Sequence, residues 1–207
     1  DVRAIPALLK ALGNSDTNFR YHVVEALGQL QALEAVDALL EIVESGDFYL
    51  SFPAIDALNR IGDPRVAPRL VPLLQNELLM VPASELLGNL GDEEVVPPLV
   101  ALLNQPGSQV TVIAGALVAL CDRYERLYQE GKHIADVAAE QVTPTGVQNL
   151  LDGLPLARDN ETRPLAVVLG WLQGSAVERS LTRLMGNPQA RGDVVEALVR
   201  HGSRVTD

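Results

Sequence analysis

Apolar and polar positions along this chain recur at two scales. Stretches beginning at Asp1, Asp63 and Asp92 read DVRAIPALLKAL, DPRVAPRLVPLL and DEEVVPPLVALL. Each has an apolar pair, then a proline, then a leucine-rich stripe with the spacing of an amphipathic helix. A weaker copy, ALEAVDALLEIV, begins at Ala32, which makes the unit 31 residues long, and the copy after Asp63 follows 29 residues later. Periods of about 20 to 50 residues mark solenoids, in which each unit buries its apolar stripe against the next.

Each unit divides in two. The leucine-rich stripe predicts a helix A. A helix B follows and ends in a recurring small-Leu-small signature: EALGQL from Glu25, DALNRI from Asp56, ELLGNL from Glu85, GALVAL from Gly115, VVLGWL from Val167 and EALVRH from Glu196. The pentapeptide VVEAL occurs twice, from Val23 and from Val194, because it belongs to helix B of the first and last units. Ala26 and Ala197 are expected to let neighbouring helices approach, with Leu27 and Leu198 filling the gap between layers. At the junction Gly62-Asp63-Pro64, a left-handed glycine should end one helix, an aspartate should cap the next, and a proline should take its first position.

The run DVRAIPALLKALGNSDTNFRYHVVEALGQL resembles the short HEAT-like repeats first described in phycobilisome lyases, and the resemblance covers nearly the whole chain. Period and resemblance together imply an all-α fold, a right-handed α-solenoid of about six helix pairs. The repeats fall near 1–30, 31–62, 63–91, 92–120, 143–173 and 174–202, with a helical insertion at 121–142 after the fourth and a tail at 203–207. Residues 1–202 read as one domain. A start at Asp1, directly inside a helical pattern, predicts a piece of a longer protein.

The insertion begins after GALVAL. One long helix is expected from Val110 to Gln129, then a turn at Gly131 and a short helix from His133 to Val142, before Thr143-Pro144 caps a new helix A. Insertions in solenoids either mark a working face or prop two halves at a different angle. Pro53, Pro82 and Pro164 occupy matching early positions of their helices B, so those helices should start near the prolines, with an extended or turn connection ahead of them.

Composition narrows the function. Hydrophobic residues make up 47% of the 207 but aromatics only 4%, so the core is one of Leu, Val, Ala and Ile. The net charge of -11 repels phosphate backbones and anionic lipid, which argues against nucleic acid or a membrane as partner. HEAT-like DNA glycosylases, which use basic grooves with aromatics, are disfavoured on the same ground. The longest apolar run, Val110 to Cys121, is too short to span a bilayer. A single cysteine excludes an internal disulfide and fits a reducing, cytoplasmic setting.

Candidate chemistry is sparse. The repeat register does not bring His22, His133 and His201 together, so no catalytic triad is supported. Glu130, His133, Asp136 and Glu140 read as a solvated face, since a metal site would need a second histidine or a cysteine pair. Cys121 reads as a buried, inert thiol. Trp171 falls in the column of Gln29 and Arg60, which should be partly exposed, and is either a packing anchor or a recognition residue. No catalytic residue, cofactor or metal ligand is assigned.

Laying helices B in register gives a stronger pattern. Glu25, Asp56 and Glu85 form an acidic ladder with steps of about 8 to 10 Å, bordered by the columns of Tyr21, Phe52 and Val81 and of Val24, Ile55 and Ser84. Helix B lines the concave face in the proteins this sequence resembles. Tyr21, Val24, Glu25, Phe52, Ile55, Asp56, Val81 and Glu85 are therefore expected to form a partner-binding face for a basic or amphipathic protein segment. The expected function is a noncatalytic scaffold within a bacterial regulatory or signalling protein. The alternative, implied by the resemblance, is a bilin lyase or lyase-like chromophore chaperone subunit.

Overall fold

Aspartates and one glycine punctuate the chain as the junction pattern predicts. The computed structural model describes residues 1–188 and 190–204. Asp16 and Asp47 cap their helices by accepting from backbone amides at Asn18, Phe19 and Tyr49. Gly62 closes a helix in the left-handed region at φ 76°, and Asp63 then accepts from the Arg65 amide while Pro64 opens a short 3-10 turn. Glycine is suited there because a side chain strains at positive φ.

Thirteen helices follow among the described residues: α1 (Ile5–Ala11), α2 (Thr17–Gln29), α3 (Val36–Glu44), α4 (Phe48–Ile61), α5 (Ala67–Leu70), α6 (Met80–Leu90), α7 (Val96–Leu103), α8 (Val110–Tyr128), α9 (Gly131–Gln141), α10 (Pro144–Gly153), α11 (Asp159–Trp171), α12 (Ser175–Leu184) and α13 (Arg191–Arg204). No strand occurs among the described residues. The all-α fold read from the sequence is the fold the chain adopts. No described helix is long and apolar enough to cross a membrane. Of the predicted tail at 203–207, residues 205–207 lie outside the described residues, and α13 runs through Arg204.

The helices gather into two compact units, residues 1–92 and the residues from Glu93 onward. In the first unit α2, α4 and α6 pack in succession, and α1, α3 and α5 each lie against the B helix that follows. Leu27, Leu39, Leu50, Leu58 and Leu70 fill the space between these layers without exposure to solvent. Helices A are also tied to each other: Arg69 of α5 reaches back to Glu44 of α3 with N–O distances of 2.8 and 2.6 Å. In the second unit α8, α11 and α13 pack in succession, and α9 packs against α7, α8 and α11.

Two local expectations need correction. α4 and α11 do not start at their prolines. α4 begins at Phe48 and α11 at Asp159, which leaves Pro53 and Pro164 inside the helices. A proline this early removes one backbone bond, and burial of the turn ahead of it compensates. Leu50 and Ser51 are fully buried, and Ser51 Oγ donates to the Asp47 carbonyl at 2.9 Å. Thr162 repeats this, donating to the Arg158 carbonyl at 3.1 Å two residues before Pro164. The close approach of α2 to α4 is also made two residues beyond Ala26. It is Gly28 of α2 that meets Ala57 of α4, while Ala197 does make the expected contact, against Gly170 of α11.

Candidate functional site

The predicted face lies on α2, α4 and α6 of the first unit, and helix geometry decides which of its residues reach solvent. Buried Val23, Val24 and Leu27 share one side of α2, so Asn18, His22, Glu25 and Gln29 take the other, with Tyr21 at its edge. The same rotation on α4 buries Ile55 and Leu58 and exposes Tyr49, Phe52, Asp56 and Arg60. Val24 and Ile55 are thus core residues with 0% and 3% exposure, and the column that contains them is removed from the surface. They sit on the same side as Leu27 and Leu58, which pack between helices. Their apolar character serves that packing.

Tyr21, Glu25, Phe52, Asp56, Val81 and Glu85 remain at least partly exposed. His22 Nδ1 lies 3.1 Å from Glu25 Oε2, and Arg60 Nε donates to Asp56 Oδ2 at 2.8 Å. The structure adds two residues that the sequence reading missed, Tyr49 and Leu78, both exposed. The Tyr21 and Tyr49 rings are 5.6 Å apart, and the Tyr49 hydroxyl donates to Asn18 at 2.8 Å. Asn18, Tyr49 and Leu78 form a register column two turns ahead of the ladder, so the repeat itself carried the signal. The helix start placed at Pro53 hid it.

The insertion builds a second candidate site, wholly within the second unit. α8 continues past its repeat signature to Tyr128 and ends at Gln129 in the left-handed region, φ 59°. α9 then begins at Gly131, whose amide donates to Glu125 Oε2 at 3.0 Å, while the Cys121 thiol donates to the Gly131 carbonyl at 3.2 Å. A Cβ at Gly131 would lie 2.8 Å from Glu125 Cβ and 2.9 Å from the Cys121 carbonyl, so only glycine lets the two helices close this tightly. Cys121 is half-buried, more open than the sequence implied. His133 Nε2 faces Glu93 Oε2 at 2.6 Å, and Lys132 pairs with Asp136 at 3.5 Å.

The result is a cleft of about 470 Å³ framed by α8, α9, α11 and α13. Lys132 and Arg163 bring positive charge to it, Asp122, Glu125, Asp193 and Glu196 bring negative charge, and Trp171 brings an aromatic wall. Arg163 spans three helices, 3.5 Å from Asp122 of α8 and 3.3 Å from Asp193 of α13. Trp171 is buried, with 6% exposure, where its column suggested partial exposure, because it closes this cleft and a second hollow of about 440 Å³.

Comparison with known proteins places the repeats. The model described as HEAT repeats matches residues 5–79, and the PBS lyase HEAT-like repeat matches residues 83–105. The chain is 37% identical over 81 residues to phycocyanobilin lyase subunit alpha of Picosynechococcus sp. (strain ATCC 27264 / PCC 7002 / PR-6). That match takes in 36% of this chain and spans only 30% of the relative's length. Among solved structures, a designed armadillo repeat protein is similar at TM-score 0.63 and 16% identity, covering 94% of this chain and 98% of its own. One from the CpcE–CpcF complex of phycocyanin lyase of Nostoc sp. PCC7120 is similar at TM-score 0.50 and 20% identity, covering 95% of this chain and 94% of its own.

These relationships correct the functional expectation. The noncatalytic regulatory or signalling scaffold is overturned by a sequence relative that is a lyase subunit and by a lyase-type repeat model, and the expectation that the chain is not an enzyme falls with it. Residue pattern, helix pairing and repeat models agree on the architecture: the chain is a HEAT-like repeat protein.

Proposed function

We propose that this chain is a bilin lyase subunit or lyase-like chromophore chaperone, acting in the cytoplasm together with a protein partner. The observation that carries this reading is its 37% identity over 81 residues with a phycocyanobilin lyase subunit. The cleft of the second unit is the proposed chromophore site, and its chemistry supports that choice. A bilin is an open-chain tetrapyrrole, a long conjugated system with ring N–H donors and carboxylate side chains. Trp171 and Val167 offer an apolar and aromatic wall, Lys132 and Arg163 offer cations to the carboxylates, and Asp122 and Glu125 offer acceptors to the N–H groups.

Titrating phycocyanobilin into the purified chain tests this. A red shift and narrowing of the visible band is expected, and Lys132→Glu, at an exposed position, should weaken it with an unchanged helical ellipticity. An unchanged spectrum with the wild-type chain would end the chromophore reading. An equal response from Lys132→Glu would move the chromophore out of this cleft.

A further inference from the structure

We infer that the exposed face of α2, α4 and α6 is a docking surface for a basic, amphipathic helix of a protein partner. The inference stands on the first unit and does not depend on what the cleft of the second unit holds. Tyr49, Phe52 and Leu78 expose 53%, 46% and 56% of their surface, and Tyr21 and Val81 continue the same columns. All three phenylalanines of this aromatic-poor chain are exposed, whereas the buried core of the first unit is aliphatic. Single exposed apolar residues are ordinary, but an apolar group bordered by charge marks a binding surface.

Charge decides the occupant. Glu25, Asp56 and Glu85 stand along one border, one from each helix, and α2, α4 and α6 carry no lysine. Their only arginines are Arg20 and Arg60, and Arg60 is held by Asp56. A nucleic acid or an acidic peptide would be repelled. A helix that lays apolar residues on Tyr49, Phe52 and Val81 and presents basic residues two turns apart would match the ladder. Seven residues, about two turns, rise about 10.5 Å, close to the spacing of packed helices.

A fluorescein-labelled peptide of leucine and lysine with helical amphipathic periodicity is the probe, read by fluorescence anisotropy against the whole chain. It should bind more tightly than the same residues scrambled and more tightly than a leucine-glutamate version. Phe52→Ala should weaken it about tenfold, as expected for a central aromatic anchor, with an unchanged melting temperature. The triple variant Glu25→Lys, Asp56→Lys, Glu85→Lys should weaken binding and flatten its salt response, which keeps the test valid if Phe52→Ala unfolds. Equal binding of the scrambled or acidic peptide, or wild-type binding by both variants, would overturn the proposal. So would light scattering that finds a dimer dissolved by Phe52→Ala, because the occupant would then be a second copy. Phe52→Ala should leave the bilin spectrum unaltered, so failure here is distinct from failure of the chromophore reading.

Discussion

Gly28 on α2 sits so close to α4 that a Cβ added there would lie 2.7 Å from the Ala57 Cα and 2.8 Å from its Cβ. The relationship recurs in the second unit, where a Cβ on Gly170 would lie 2.6 Å from Ala197 Cβ. In both pairs the glycine of one VVEALG-type signature faces the alanine two places earlier in the signature of the next B helix it packs against. Gly28→Ala is expected to lower stability by about 1 to 3 kcal/mol through overpacking, despite a helix-propensity gain of about 1 kcal/mol. Gly115→Ala in α8 meets nothing within 4 Å and should instead stabilise by about 0.5 to 1 kcal/mol. Urea unfolding of the two variants against wild type checks both signs.

Leu27 is fully buried in the first unit, between the layers formed by α1, α2 and α4. Leu27→Ala should cost about 2 to 5 kcal/mol, the lost apolar contact plus the residual cavity. Its signature equivalent Leu198 is only half-buried and should cost less on the same substitution. Chemical denaturation of both variants gives the comparison.

What the sequence made legible is what the repeat enforces. The period, the Gly62-Asp63-Pro64 junction and the long helix through the insertion were readable because capping and amphipathic spacing are local. Which side of helix B faces solvent was not, since Val24 and Tyr21 differ in outlook only by the rotation of α2 against α4. Pro53 misled for a related reason. Burial of Leu50 and Ser51 ahead of it outweighs one missing backbone bond, and that burial is tertiary. The cleft of the second unit was less legible still, because it depends on how α9 packs against α8 and α11, which no local pattern in the chain encodes.

Asp63 should govern part of the acid limb of stability. The Arg65 side chain, hydrogen-bonded to its carboxylate, holds its pKa below the ordinary aspartate value, against desolvation that pushes the other way. A carboxyl depressed in the folded state contributes stability above its unfolded pKa, near 3.9, and that stability is lost as pH falls through the lower folded value. Asp63→Asn keeps a capping acceptor but removes the charge, so its stability should fall less steeply below about pH 4. Glu44, lowered by its hydrogen bond from Arg69, acts in the same direction. Thermal melts from neutral to acid pH, compared between wild type and variant, read the difference.

Gly131→Ala should force α9 from α8, since its Cβ would meet both Glu125 and the Cys121 carbonyl. A loss of about 1 to 3 kcal/mol is expected from the second unit. The bilin response should shrink with it, because Gly131 and Lys132 both line the cleft. Calorimetry and the bilin titration on the same preparation test the two effects together.

Trp171 is the sole indole among the 207 residues, and it is enclosed in the cleft wall. Selective excitation of that ring makes the cleft its own optical reporter, while helical ellipticity integrates over both units. Denaturation followed both ways gives the second unit a transition of its own to compare with the whole chain's. A ligand seated against the ring announces itself by quenching, with no label attached.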